Sequence, residues 1–175
     1  RYRRKTAVNE PRLGSAPLWH ENQFWTALLI ALLVGGLDLT TKWVIATIVM
    51  NPPRIIEVTS FFNLTLGFNR GVSFGILDGL GPWGPVIIST IAAGIIGFLL
   101  VWLRRVKQRG EALAIASIIG GAGGNLIDRL HDGAVTDFLD FHLGTFHWPA
   151  FNLADSSIFL GAAVLLFSSL RGVAE

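Results

Sequence analysis

Two carboxylates frame the chemistry open to this chain. Asp137 lies in the β-branched and aromatic segment Val135-Thr136-Asp137-Phe138-Leu139, and Asp155 opens the last long apolar run, which begins Phe151-Asn152-Leu153-Ala154-Asp155. Brought together in a poorly hydrated place, two carboxylates cannot both ionise cheaply. They share a proton, leaving one base to activate water and one acid to protonate a leaving group. Such a pair hydrolyses an amide without a metal or a covalent intermediate. A proton or ion relay across a membrane uses the same residue types, so the pair alone leaves both readings open.

Other chemistries have less support. The chain has no cysteine, which removes thiolate nucleophiles and cysteine metal sites. His20, His131, His142 and His147 form no His-Glu-x-x-His pair, so no metal is expected. The run Gly120-Gly121-Ala122-Gly123-Gly124-Asn125 lacks the soluble strand and downstream acid of a dinucleotide loop. Its small residues suit close packing of membrane helices, with Asn125 as a hydrogen-bonding bracket. Lys42 could activate Ser73 or Ser156 as a nucleophile. Asp38, one helical turn before Lys42, favours instead an internal ion pair. Asp128 and Arg129 read as structural partners, and Asn152 as the N-cap of the helix carrying Asp155.

Hydropathy supplies the elements that must position these groups. Of 175 residues, 51% are hydrophobic and 15% charged, a balance unsuited to a water-soluble domain. Apolar stretches at about 24–49, 83–103, 112–130 and 151–170 each approach the ~20 residues a helix needs to cross a hydrocarbon core. The first is too long for a signal-peptide core and has no small-residue cleavage pattern, so it reads as a retained span. The expected architecture is an all-α membrane protein: four transmembrane helices with a small extracytoplasmic β-sheet or loop cap. A basic arm, 1–20, precedes a membrane domain, 21–175.

Arg1, Arg3, Arg4, Lys5 and Arg12 precede the first span, Arg104, Arg105, Lys107 and Arg109 join the second to the third, and Arg171 follows the fourth. The other two connections carry Arg54 and Arg70 as their basic residues. Both termini are therefore expected in the cytoplasm. The net charge of +2 is accounted for by these topology signals, and no nucleic acid partner is expected.

The outward connections are rich in β-branched and aromatic residues, which predicts strands at 54–58, 61–66 and 134–142. Residues 63–75, with three glycines near the end, are expected to form a lid. On a strand, Asp137 points with Val135, Leu139 and Phe141, while Asp140 points the other way and is expected to be solvated.

Four ordered blocks carry a resemblance: Asp38-Leu39-Thr40-Thr41-Lys42; Asn69-Arg70-Gly71-Val72-Ser73-Phe74-Gly75; the run from Gly120 to Arg129 with Val135-Thr136-Asp137-Phe138; and the run from Phe151 to Ile158. Together they resemble the lipoprotein signal peptidases, or signal peptidase II, which are bacterial intramembrane aspartyl peptidases. The resemblance implies that Asp137 and Asp155 are the catalytic pair. It further implies that Asp38, Asn69, Asn125, Arg129 and Asn152 hold substrate or structure around them, and Lys42 and Asp128, read above as structural partners, are expected to support the same site.

The substrate it implies is a prolipoprotein whose cysteine already carries a diacylglyceryl group, cut just before that cysteine at the outer face of the inner membrane. No cofactor is implied, membrane lipid is the surrounding partner, and the chain is expected to be a monomer. The rival reading, a small proton-coupled transporter, needs polar groups along a whole path, and the inner halves of spans two and four hold almost none.

Overall fold

Helix α1, Trp19–Val44, continues through a π-helical turn at Ile45–Val49. Helices α2, Gly84–Leu103, α3, Arg109–Asp132, and α4, Leu153–Gly172, follow. The computed structural model describes residues 19–71 and 83–172. The first 18 residues of the basic arm, and Val72 to Gly75 of the expected lid, lie outside the described residues. All four helices are long and apolar enough to cross a membrane.

Helix α3 is the inner helix. Half of its apolar window is buried, against 17% or less in the other three. Ala112, Ile115, Ala116 and Ile119 of α3 pack against Ala27 and Ala31 of α1 and Leu99 and Leu103 of α2. Large side chains point outward, among them Trp25, Leu32, Phe98, Phe159 and Phe167, as expected where lipid replaces water as solvent.

The glycine run of α3 explains the close approach of its neighbours. A Cβ on Gly120 would sit 2.5 Å from the Ala31 carbonyl of α1, and one on Gly121 would sit 2.5 Å from the Ala154 carbonyl of α4. One on Gly124 would collide with the Asp38 carboxylate. Three glycines therefore serve three different contacts. Gly133, at φ 69°, then ends α3, its N–H donating to the Arg129 carbonyl at 3.1 Å.

Strands β1, Ile56–Thr59, β2, Phe62–Asn69, β3, Val135–Leu143, and β4, Phe146–His147, form an antiparallel sheet in sequence order. Asn63 lies opposite Asp140 and Gly67 opposite Asp137, with an irregularity between Leu64 and Gly67. After β4 the chain runs back along β3, where Phe151 N donates to the Leu139 carbonyl at 3.0 Å and the Phe151 carbonyl accepts from Leu139 N at 2.8 Å. That return delivers Asn152 to the head of α4.

Candidate active site

Asn152 is the N-cap of α4 and Asp155 the third residue of its first turn. The Asn152 side-chain oxygen accepts from Asp155 N at 3.0 Å, and Asp155 Oδ2 accepts from Asn152 N at 3.3 Å. This reciprocal pair satisfies two backbone donors at the helix start. Ala154 N, between them, donates to Asp38 Oδ1 at 2.8 Å. A carboxylate from α1 thus sits on the positive end of α4.

The same Asn152 reaches Asp137. Its Nδ2 donates to Asp137 Oδ1 at 2.7 Å and also approaches the Thr136 carbonyl at 3.3 Å and Asn125 Oδ1 at 3.2 Å. Asn69 Nδ2, from the end of β2, donates to the other Asp137 oxygen at 3.1 Å. Asn125 Nδ2 donates to Asp155 Oδ1 at 2.9 Å. Each carboxylate therefore accepts from Asn152 and from one further asparagine side chain.

Asp137 is 4% exposed. Its burial, reinforced by the nearby Asp155 charge, pushes its carboxyl up to about 6 against the opposing hydrogen bonds from Asn69 and Asn152. Asp155 is half-buried at the edge of the same site.

Beneath the carboxylates lies a charged layer. Lys42 Nζ contacts Asp38 Oδ2 at 2.7 Å and Asp128 Oδ2 at 2.9 Å, and donates to Asn125 Oδ1 at 2.8 Å. One buried cation thereby faces two carboxylates from different helices. The expected Asp38 to Lys42 pair is present, and Asp128 and Asn125 extend it. Asp128 Oδ2 also accepts from Thr136 N at 3.2 Å, joining α3 to β3. Arg129 donates to the Gly71 carbonyl at 3.0 Å and to the Asn125 carbonyl at 3.4 Å, so it grips backbone. Ser156 Oγ donates to the Asn152 carbonyl at 3.0 Å rather than meeting Lys42, and Ser73 lies outside the described residues.

The structure corrects the expectation for Asp140. It is three residues beyond Asp137 on β3 and makes no contact with the Asn152 and Asn69 donors of that carboxylate, but it is 8% exposed rather than solvated. Asn63 Nδ2 donates to it at 3.2 Å and His147 Nδ1 lies 2.9 Å away. Both partners are on other strands, which sequence spacing does not reveal. Thr136, whose backbone serves both Asp128 and Asn152, is the other contributor missed.

Beside Asp155 a cleft of about 510 Å³ opens, walled by Trp148, Pro149 and Phe151 on one side and Phe159 and Leu160 of α4 on the other. A second cleft, of about 500 Å³ between α2 and α3, reaches Arg129.

Comparison with known proteins places this arrangement. The family model described as "Signal peptidase (SPase) II" matches residues 30–171. A lipoprotein signal peptidase of Aeromonas hydrophila subsp. hydrophila is 42% identical over 146 residues, covering 82% of this chain and 87% of its own. That of Azoarcus sp. is 46% identical over 147 residues, covering 82% of each. A bacterial membrane enzyme solved by the in meso method at 2.3 Å superposes with a TM-score of 0.75 at 33% identity, over 85% of this chain and 90% of that one. With four apolar helices around a buried polar site, and a match over most of its length, the chain belongs to the signal peptidase II family of membrane peptidases.

Proposed function

We propose that the chain is an intramembrane aspartyl endopeptidase that removes signal peptides from diacylglyceryl-cysteine-modified prolipoproteins, with Asp137 and Asp155 as its dyad. The observation that carries this reading is Asn152, which hydrogen-bonds both carboxylates and so fixes them as a pair. Asp137, the more buried, carries the shared proton. Asp155 takes a proton from water as the water oxygen attacks the scissile carbonyl carbon. Asp137 then gives its proton to the departing amide nitrogen as the C–N bond breaks. The dyad ends with its proton on the other member, ready to return.

Asp38, Lys42, Asn125 and Asp128 hold the helices that carry the dyad. Asn69 and Arg129 hold the chain around Gly71, on the side where an extended substrate segment would enter. The distribution of basic residues supports a topology with both termini in the cytoplasm and the sheet and dyad at the outer face of the inner membrane. The signal helix lies among the spans, the acyl chains stay in lipid, and the chain acts as a monomer without cofactor.

The test is a cleavage assay with purified protein in micelles. Signal peptide is expected to be released from the diacylglyceryl precursor about a hundred-fold or more faster than from the unmodified one, since acyl contacts contribute binding energy. Comparable rates for the two would sink the substrate assignment. Chelators are expected to leave the rate unchanged, and inhibition reversed by zinc would revive a metallopeptidase.

Asp140 provides an internal control. Asp140→Asn is expected to retain at least about a tenth of wild-type activity where Asp137→Asn has none, because Asn152 ties Asp155 to Asp137 and not to Asp140. Equal loss in two folded variants would show that the wrong carboxylate was chosen.

A further inference from the structure

Farther along β3 from Asp137 the sheet holds a polar cluster that the proposed chemistry does not use. Asn63 of β2, Asp140 and His142 of β3 and His147 of β4 lie side by side across three strands. The Asp140 side chain is 11% exposed and accepts from Asn63 Nδ2, while both of its oxygens lie within 3.0 Å of His147 Nδ1. The His142 and His147 rings stack with centroids 4.9 Å apart and planes 19° from parallel. A nearly buried carboxylate needs its donors, so Asp140 draws β4 onto β3.

What β4 holds in place matters for the site. Strand β4 is two residues long, too short to be secured by its own ladder. It leads directly into 148–151, the stretch that walls the cleft beside Asp155 with Trp148, Pro149 and Phe151. Trp148 N donates to the Phe141 carbonyl at 2.8 Å, continuing the register that the His142 to His147 pairing begins. Asn152, by contrast, is anchored independently by Asp137, Thr136 and the head of α4.

We propose that His147, held by Asp140, is a positioning residue for substrate binding: it clamps the 148–151 strap that forms one wall of the cleft beside Asp155, leaving the dyad geometry to Asn152. The apolar cleft takes an apolar part of the precursor, and this rests on the reading of the chain as a prolipoprotein signal peptidase. The clamp acts on binding and not on the chemical step. Its loss therefore shows in KM, whereas loss of a group acting on the dyad shows in kcat.

His147→Ala and His147→Asn separate the clamp from general packing, because the Asn amide nitrogen occupies the place of His Nδ1 and still donates to Asp140. With the diacylglyceryl precursor, His147→Ala is expected to raise KM about ten-fold with kcat within about two-fold, and His147→Asn to restore KM to within about two-fold of wild type. Amide exchange at Trp148 and Phe151 is expected to quicken in His147→Ala and to return to the wild-type rate in His147→Asn. An unchanged KM in His147→Ala, a fall in kcat at constant KM, or unaltered exchange overturns the clamp. The exchange measurement decides the clamp even if no precursor is cleaved, and a KM effect surviving in an enzyme that tolerates Asp137→Asn would overturn the dyad and not the clamp.

Discussion

Asp137→Asn and Asp155→Asn are each expected to abolish cleavage, with rates at least about four orders of magnitude below wild type, while the protein stays folded and inserted. An amide in either place can neither accept the proton from water nor carry the shared one. The wild-type profile of kcat/KM against pH is expected to be bell-shaped, its limbs belonging to the pair and not to either residue. Stability adds a second readout. Asp137, raised to about 6, binds its proton more tightly in the folded state than in the unfolded one. Its contribution to stability is therefore complete below the ordinary carboxylate range and is lost as pH rises through about 6. A neutral Asn avoids that loss but sets its own amide N–H against the Asn69 or Asn152 donor, so the thermal midpoint of Asp137→Asn at pH 7 is expected to lie within about 5 °C of wild type. Turnover in either variant rules out the dyad, and a large fall in midpoint assigns Asp137 to the fold.

Lys42→Met is expected to have the largest effect on the fold. It leaves Asp38 and Asp128 buried without their cation and removes the donor to Asn125. Removing one partner of a buried ion network destabilises by about 3–5 kcal/mol, which for a chain of this size corresponds to a fall of roughly 10 °C in thermal midpoint. Circular dichroism in micelles measures it. Lys42 would be shown to be dispensable to the bundle by a midpoint within about 2 °C of wild type.

The spans were legible because a bilayer imposes one simple demand, about 20 apolar residues, and each helix meets it. Their ends were less so. Helix α3 begins at Arg109 and runs to Asp132, beyond the apolar stretch, because its polar first and last turns lie outside the apolar window. The Asp38 to Lys42 contact and the Asn152 cap were readable from spacing within one helix or turn. The link from Lys42 to Asp128 was not, since it joins residues 86 positions apart across two helices. Strand β4 went unseen for a related reason: two residues carry no periodicity, and His147 is held by Asp140. Asp140 was misjudged as solvated because alternation gives the face of a strand but not what covers it.

Asn152 has one consequence for resistance to drugs. An inhibitor whose essential contacts are Asn152 and the two aspartates would bind where escape substitutions are scarce. Replacing Asn152 to shed the compound also removes the cap of α4 and the donor to Asp137. A change that defeats the compound then defeats the enzyme as well. Resistance would have to arise instead in the walls of the cleft, at Phe159 or Leu160, where a side chain can change without unfastening the helix.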